Sequence, residues 1–254
     1  MLIHLLHLGR VSYAEGLAIQ QRVIAARKQD LIGDTLLLLE HPPVITLGRN
    51  SHRENVLASD ELLASRGVEL HEINRGGDVT YHGPGQLVGY PIIDLRGDLP
   101  GKKGPHLGPV DYVRLLEEVL IRVCGDFGVP AQRICKLTGV WTVAGGSVAE
   151  KKIAAIGVHV SQGVTSHGFA LNVTTDLRDF GWIVPCGITD RAVTSLELEA
   201  DEAHAPTMAA AVNSVARCFG RTFGRQMLAC ESLEELLAPA ATAPGAVAAN
   251  LSGY

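Results

Sequence analysis

Across 254 residues the sequence lacks several features that would have settled its class at once. No apolar run approaches the roughly 20 residues needed to cross a bilayer. The leucine-rich start, Met1 to Arg10, has no basic head and carries His4 and His7, so no export signal is read there and a cytoplasmic location is expected. There is no excess of positive charge: a net charge of −5 and a pI near 6 give no electrostatic ground for binding nucleic acid or an anionic membrane. The five cysteines show no C-x-x-C spacing, which speaks against both a disulfide framework and a zinc ribbon. No Gly-x-x-x-x-Gly-Lys-Ser/Thr loop is present, the histidines show no metal-ligand spacing, and no internal repeat is visible.

What is present is ordinary core-forming material, 46% hydrophobic, enough for one sizeable domain. Ser12-Tyr-Ala-Glu15 has the form of a capping box and predicts a helix running through Ile24 after a short first strand. Thr35 to Leu39 and Val44 to Leu47 read as two buried strands joined by the His41-Pro42-Pro43 turn, and Val68 to Ile73 alternates as a strand with one wet face. A Gly/Pro-rich stretch, Gly76 to Gly89, leads into a strand over Tyr90 to Leu95. Arg96 to Gly108, rich in Gly, Lys and Pro, reads as a mobile loop.

Pro109 opens a second helix whose apolar spacing lasts to Phe127. Strands follow over Val140 to Val143, Ile153 to Val160 and Gly168 to Val173, then a helix after Pro206. The tail from residue 238 has little to bury and is expected to be loosely ordered, leaving 1–237 as the folded domain. Strand runs outnumber helices, so the fold class is α+β with a mixed, largely antiparallel sheet.

The most informative stretch is Arg75-Gly-Gly-Asp-Val-Thr-Tyr-His-Gly-Pro-Gly-Gln86. Adjacent glycines let a backbone approach a ligand, Arg75 presents a fork of donors, and His82 can donate, accept or exchange a proton. A Gly-rich turn between strands would carry the same residues. Among the cysteines, Cys124 and Cys218 fall in helical stretches and read as small buried hydrophobes, whereas Cys186, between Pro185 and Gly187, is the best thiol for attack. A free thiol, with a pKa of about 8.5, needs a cation or base nearby to react at neutral pH.

Arg75 through Gln86 to Tyr90 resembles the signature of the lipoate-protein ligase B family, the octanoyl-carrier-protein:protein octanoyltransferases. Lys152-Ile-Ala-Ala-Ile-Gly157, His167-Gly-Phe-Ala-Leu-Asn172 and Val184-Pro-Cys-Gly-Ile188 resemble further blocks of that family in the same order. The resemblance covers about Leu36 to Leu196. It implies a single domain of the biotin/lipoate protein ligase fold and Cys186 as the acyl-accepting nucleophile. It also implies Lys152, favoured over Lys151 by register on Gly157, as its partner.

By the same resemblance the acyl site is lined by Arg75, Gly76, Gly77, Asp78, Val79, Thr80, Tyr81 and His82, by Ala155, Ile156 and Gly157, and by Gly168, Phe169 and Ala170. The implied donor is octanoyl-acyl carrier protein. The implied acceptors are the lipoyl domains of 2-oxoacid dehydrogenase E2 subunits and the glycine cleavage H protein, met by a monomer without cofactor or metal. An ATP-dependent lipoate or biotin ligase would instead need a phosphate cradle. A cysteine thioester hydrolase would use the same dyad with water as acceptor.

Overall fold

The computed structural model describes residues 2–145, 149–184 and 191–238. Strand β1 (Leu2–Arg10) runs into helix α1 (Tyr13–Lys28), whose first turn is capped as expected: Ser12 Oγ accepts from the Glu15 amide. The chain returns as β2 (Asp34–Glu40), parallel to β1, as a crossover helix requires. In β2 the unbroken run Leu36–Leu39 is buried on both faces of the sheet. Leu36 and Leu38 enter the larger core, and Leu37 and Leu39 pack against the side that α1 covers.

His41-Pro42-Pro43 does not close a hairpin with the next strand. It carries the chain into a second sheet, where β3 (Val44–Leu47) pairs in parallel with β4 (Glu69–Glu72) and antiparallel with β5 (Val79–His82). Between them lies the short helix α2 (Asp60–Ser65). The wet strand expected over Val68 to Ile73 is shorter than its alternation implies. Its β4 part buries neither face, because it is an edge strand with Leu70 exposed. The Gly/Pro-rich stretch hides β5, whose four residues are all buried.

The chain rejoins the large sheet at β6 (Gln86–Ile92). Helix α3 (Pro109–Asp126), β7 (Ala131–Ile134), β8 (Leu137–Thr142), β9 (Lys152–Ser161) and β10 (Val164–Asn172) follow. Helices α4 (Leu196–Glu199) and α5 (Met208–Phe223), strand β11 (Gln226–Cys230) and helix α6 (Leu233–Leu237) complete the described chain. The eight strands lie in the order β11-β1-β2-β6-β10-β9-β8-β7, parallel at the β11 end and antiparallel from β2 onward. Helices α3 and α5 contribute to the larger core on one face, α1 and α6 to the smaller core on the other. The architecture is α+β with a mixed sheet.

Arg96 to Gly108 is anchored rather than loose. Leu99 and Leu107 are buried in the larger core, and the Leu107 amide donates to Leu95 O at 2.7 Å. Two leucines in a run of Gly, Lys and Pro do not register as a periodic pattern, which is why the sequence reads as a free loop.

On α3 the Glu117 carboxylate is fully buried yet well supplied with donors. It accepts from Arg114 at 2.6 Å, from Arg133 Nε at 3.1 Å and from the Gly139 amide at 3.2 Å. Glu117→Ala strands the Gly139 amide and is expected to lower the unfolding free energy by about 2–4 kcal/mol, read from the urea midpoint. A change within about 0.5 kcal/mol would mean that water takes over these bonds.

Candidate active site

A cleft of about 490 Å³, partly open to solvent, lies where the two sheets meet. Its floor is the β9–β10 hairpin, with Gly157 paired to Gly168, Ile156 to Phe169 and Ala155 to Ala170. Its wall is the loop before β5, supplying Arg75, Gly77 and Asp78, followed by Thr80 and His82 on one side of the strand. Val79 and Tyr81 project the opposite way into the core of the small sheet, as strand alternation demands, and Tyr81 Oη donates to Asp179 at 2.6 Å. Gly76 is not among the lining residues. Its amide donates to Val158 O at 3.0 Å and ties the loop to β9.

That tie needs a bare Cα on the other strand. A Cβ on Gly157 would sit 2.8 Å from Gly76 O and 3.0 Å from Arg75 Cδ. Arg75 is itself buried. Its guanidinium donates to both the backbone O and the Oγ1 of Thr46 at 2.9 Å, and to Gly76 O at 3.1 Å, so the fork is set before any ligand arrives.

The histidines of the cleft are neutral. Burial, then the neighbouring His41 and Arg75, push His82 down to about 3; burial, then Arg75, push His167 down to about 4. The Gln86 amide donates to Tyr81 O at 3.2 Å and to Asn172 Oδ1 at 2.9 Å, which leaves its own oxygen to accept from His82 Nδ1 at 2.7 Å. Nδ1 therefore carries the proton, and Nε2 has a lone pair. A neutral imidazole of this tautomer orients and accepts; it has no second proton to give at neutral pH.

Lys152 opens β9 and is 6% exposed, whereas Lys151 turns outward and pairs with Glu199 at 2.9 Å. The doublet thus separates into a surface ion pair and a buried amine. Lys152 lines a smaller cavity with Gln86, Asn172, Phe180 and Val193, and that cavity shares Thr80, Ala155 and Ala170 with the main cleft. Its Nζ stands 4.8 Å from the centroid of the Trp141 ring.

Cys186, with Pro185 and Gly187, lies outside the described residues. On its N-terminal side, the Val184 amide donates to Asn55 O at 2.8 Å. On its C-terminal side, Ala192 O accepts from the Lys152 amide and the Thr194 amide donates to Lys152 O, both at 2.9 Å. Of the other thiols, burial pushes Cys124 up to about 12, and burial with the adjacent Asp126 carboxylate raises Cys218. Cys230 is raised by burial and Glu235, and Cys135 is exposed at the β7–β8 turn.

Five further cleft residues were not assigned to the site from sequence: Tyr13, Ile73, Val88, Tyr90 and His167. Tyr13 follows the capping serine and reads only as a helix start. Its ring reaches the cleft because α1 packs across the sheet, and burial pushes its phenol up to about 12. His167 holds a left-handed backbone (φ 56°), takes Gln20 Oε1 on its amide at 2.6 Å and bonds Asn74 Oδ1 through Nε2 at 2.8 Å. A histidine inside an apolar strand carries a signal; Val88 and Ile73 carry none beyond burial.

The lipoyl protein ligase A/B catalytic domain family matches residues 12–220. An octanoyltransferase from Acidobacterium capsulatum is 66% identical over 242 residues, 95% of this chain and 98% of the relative. One from Koribacter versatilis is 54% identical over 236 residues, 93% and 90% of the two chains. Among solved structures, a bi-partite lipoate protein ligase from Thermoplasma acidophilum superimposes with a TM-score of 0.69 at 19% identity, covering 93% of this chain and 90% of that one. A lipoate-protein ligase A bound with ATP gives 0.68 at 18% identity, covering 93% and 92%. At these identities the structures establish the shared fold.

Two buried neutral histidines make stability acid-sensitive. In the unfolded chain they titrate near 6.5, and in the fold near 3 and 4. Between those values the unfolded state binds more protons, so the contribution is complete above about pH 6.5 and is lost as pH falls toward the folded values. Each histidine adds a slope of up to about 1.4 kcal/mol per pH unit. His167→Asn, which suits the left-handed backbone, is expected to remove one such increment from a urea-midpoint profile taken between pH 7 and 4.5. An unchanged slope would place the acid sensitivity elsewhere. Separately, Gly157→Ala is expected to displace the Arg75–Gly77 loop and cut transfer activity at least tenfold, measured as turnover against the wild type, with a smaller effect on melting temperature.

Proposed function

This chain belongs to the lipoyl protein ligase A/B catalytic domain family and is an acyltransferase for octanoyl groups. On that premise we propose that the acyl group travels through a thioester on Cys186, with Lys152 as the partner of the thiol. The observation that carries the proposal is the place of Lys152: a buried amine in the smaller cavity that shares Thr80, Ala155 and Ala170 with the cleft, its backbone bonded to the residue six positions beyond Cys186. Val184, fixed to Asn55, is two residues before position 186, and two residues of extended chain reach about 7 Å. Ile183 and Val193 pack on the same small core, so the chain enters and leaves this stretch beside one cavity.

In the first half-reaction the Cys186 thiolate, stabilised by the lysine, attacks the carbonyl carbon of octanoyl-acyl carrier protein. The bond to the carrier's phosphopantetheine sulfur breaks and that sulfur leaves as the thiol, taking its proton from the Lys152 ammonium, so the lysine is left neutral for the second half-reaction. In the second, the neutral amine of an acceptor lysine attacks the Cys186 thioester; the carbon–sulfur bond breaks, the amide forms, and Lys152 takes the proton that the amine sheds. The acceptors are lipoyl domains, those of 2-oxoacid dehydrogenase E2 subunits and the glycine cleavage H protein. Exchange of a thioester for an amide runs downhill, so the sequence needs no nucleotide.

The cleft suits the acyl tail. Ile156, Phe169, Ala155, Ala170 and Val88 line it. Thr80 and His82 supply polar atoms from β5. A largely apolar concavity with a few fixed polar groups is the usual form of a lipid-tail site.

Incubation with octanoyl-acyl carrier protein and weighing of the intact enzyme tests the intermediate. Wild type is expected to gain one octanoyl mass, lost on adding a lipoyl domain, while Cys186→Ser gains none. An adduct on both proteins, or on neither, removes Cys186 from the role.

A further inference from the structure

Lys152 lies opposite a second buried residue whose presence the reaction does not explain. Trp141 pairs with Lys152 across the β8–β9 ladder. The indole is 1% exposed, and its Nε1 has no hydrogen-bond partner among the described residues. A buried indole N–H left without an acceptor is costly, so the position is not filled for the sake of that group.

What the ring offers is its face. The Lys152 Nζ lies 4.8 Å from the ring centroid, and the Arg191 guanidinium carbon lies 5.7 Å from the same centroid. Both distances fall within the range in which an aromatic face attracts a cation. The two cations come from different parts of the chain. Lys152 stands on the floor strand, and Arg191 begins the described chain that follows Cys186. Arg191 is also tied at 2.7 Å to Glu150, two residues before Lys152.

Gly139 (φ 119°) lies on the same strand: a Cβ built there would crowd Ala154 O at 2.7 Å and stand in ordinary contact with Lys152 Cε at 3.6 Å. Strand β8 thus runs alongside both the carbon stem and the charged end of the lysine.

We propose that Trp141 is a positioning residue for octanoyl transfer: its ring face holds the Lys152 amine and the Arg191 guanidinium at once, fixing the lysine toward the chain that returns to it. The proposal rests on Lys152 acting in the reaction. It assigns Trp141 no contact with substrate, so the consequence falls on turnover and not on donor binding.

Fluorinated tryptophans test this without changing the shape of the side chain. Progressive fluorination withdraws charge from the ring face and weakens its hold on a cation while the volume stays nearly constant. The chain has two tryptophans, so a Trp182→Phe background confines the label to position 141. The expected result is a stepwise fall in kcat for octanoyl transfer, about tenfold across the series, with KM for octanoyl-acyl carrier protein and the melting temperature unchanged. Trp141→Phe is expected to keep more of the turnover than Trp141→Leu at matched melting temperature.

A flat kcat across the fluorinated series, with Lys152→Ala inactive, overturns the proposal and leaves the role of Lys152 standing. Wild-type turnover in Lys152→Ala overturns both.

Discussion

The site depends on one close backbone approach, the bond from the Gly76 amide to Val158 O across the bare Cα of Gly157. Through it the small sheet docks on the large one, and the cleft is the space left between them. Arg75 then reaches Thr46, and the floor strand β9 carries the contact on one side and Lys152 at its start. Hydrogen bonds between fixed backbones give this junction a geometry that side-chain packing alone would leave looser.

A polar chain joins the cleft to the smaller cavity beside it. His82 bonds Gln86, Gln86 bonds Asn172, Asn172 Nδ2 donates to Thr194 O at 2.8 Å, and Thr194 is itself bonded to Lys152. Each member is satisfied by the next, which is how buried polar groups are kept without cost to the core. The glutamine therefore does more for the site than lining it would: it fixes the tautomer of one end of the chain, and its partner Asn172 fixes the backbone at the other.

Much of this was legible in the sequence, for reasons that differ by residue. The capping serine of α1 and the Leu36–Leu39 run announce themselves through local chemistry and periodicity. Arg75 to His82 drew notice through its glycines, arginine and histidine, but its assignment to the site, like that of Lys152 to Gly157, came only from the family resemblance. The side of β5 that each residue takes was not legible, because the Gly/Pro content around it masks the strand, and a strand whose start is unknown has no assigned faces. Tyr13 enters the cleft only after α1 has packed on the sheet, and Tyr90 only through the pairing of β6 with β10. Trp141 reads from sequence as one more apolar strand residue; the cations that give it meaning arrive from 11 and 50 positions away. Leu99 and Leu107 show the opposite error, two anchors hidden in a composition that signals a loop.

Among the described residues no strand pairs with the outer edge of β4, which bounds the small sheet near the apolar cleft, an arrangement that invites an extended peptide from another molecule to add itself. Its four residues, Glu69-Leu-His-Glu72, are short and charged, with His71 held to Glu69 at 2.7 Å. Such an edge repels strand addition. The enzyme can thus keep an apolar hollow open to bulky protein substrates without seeding its own aggregation through the rim.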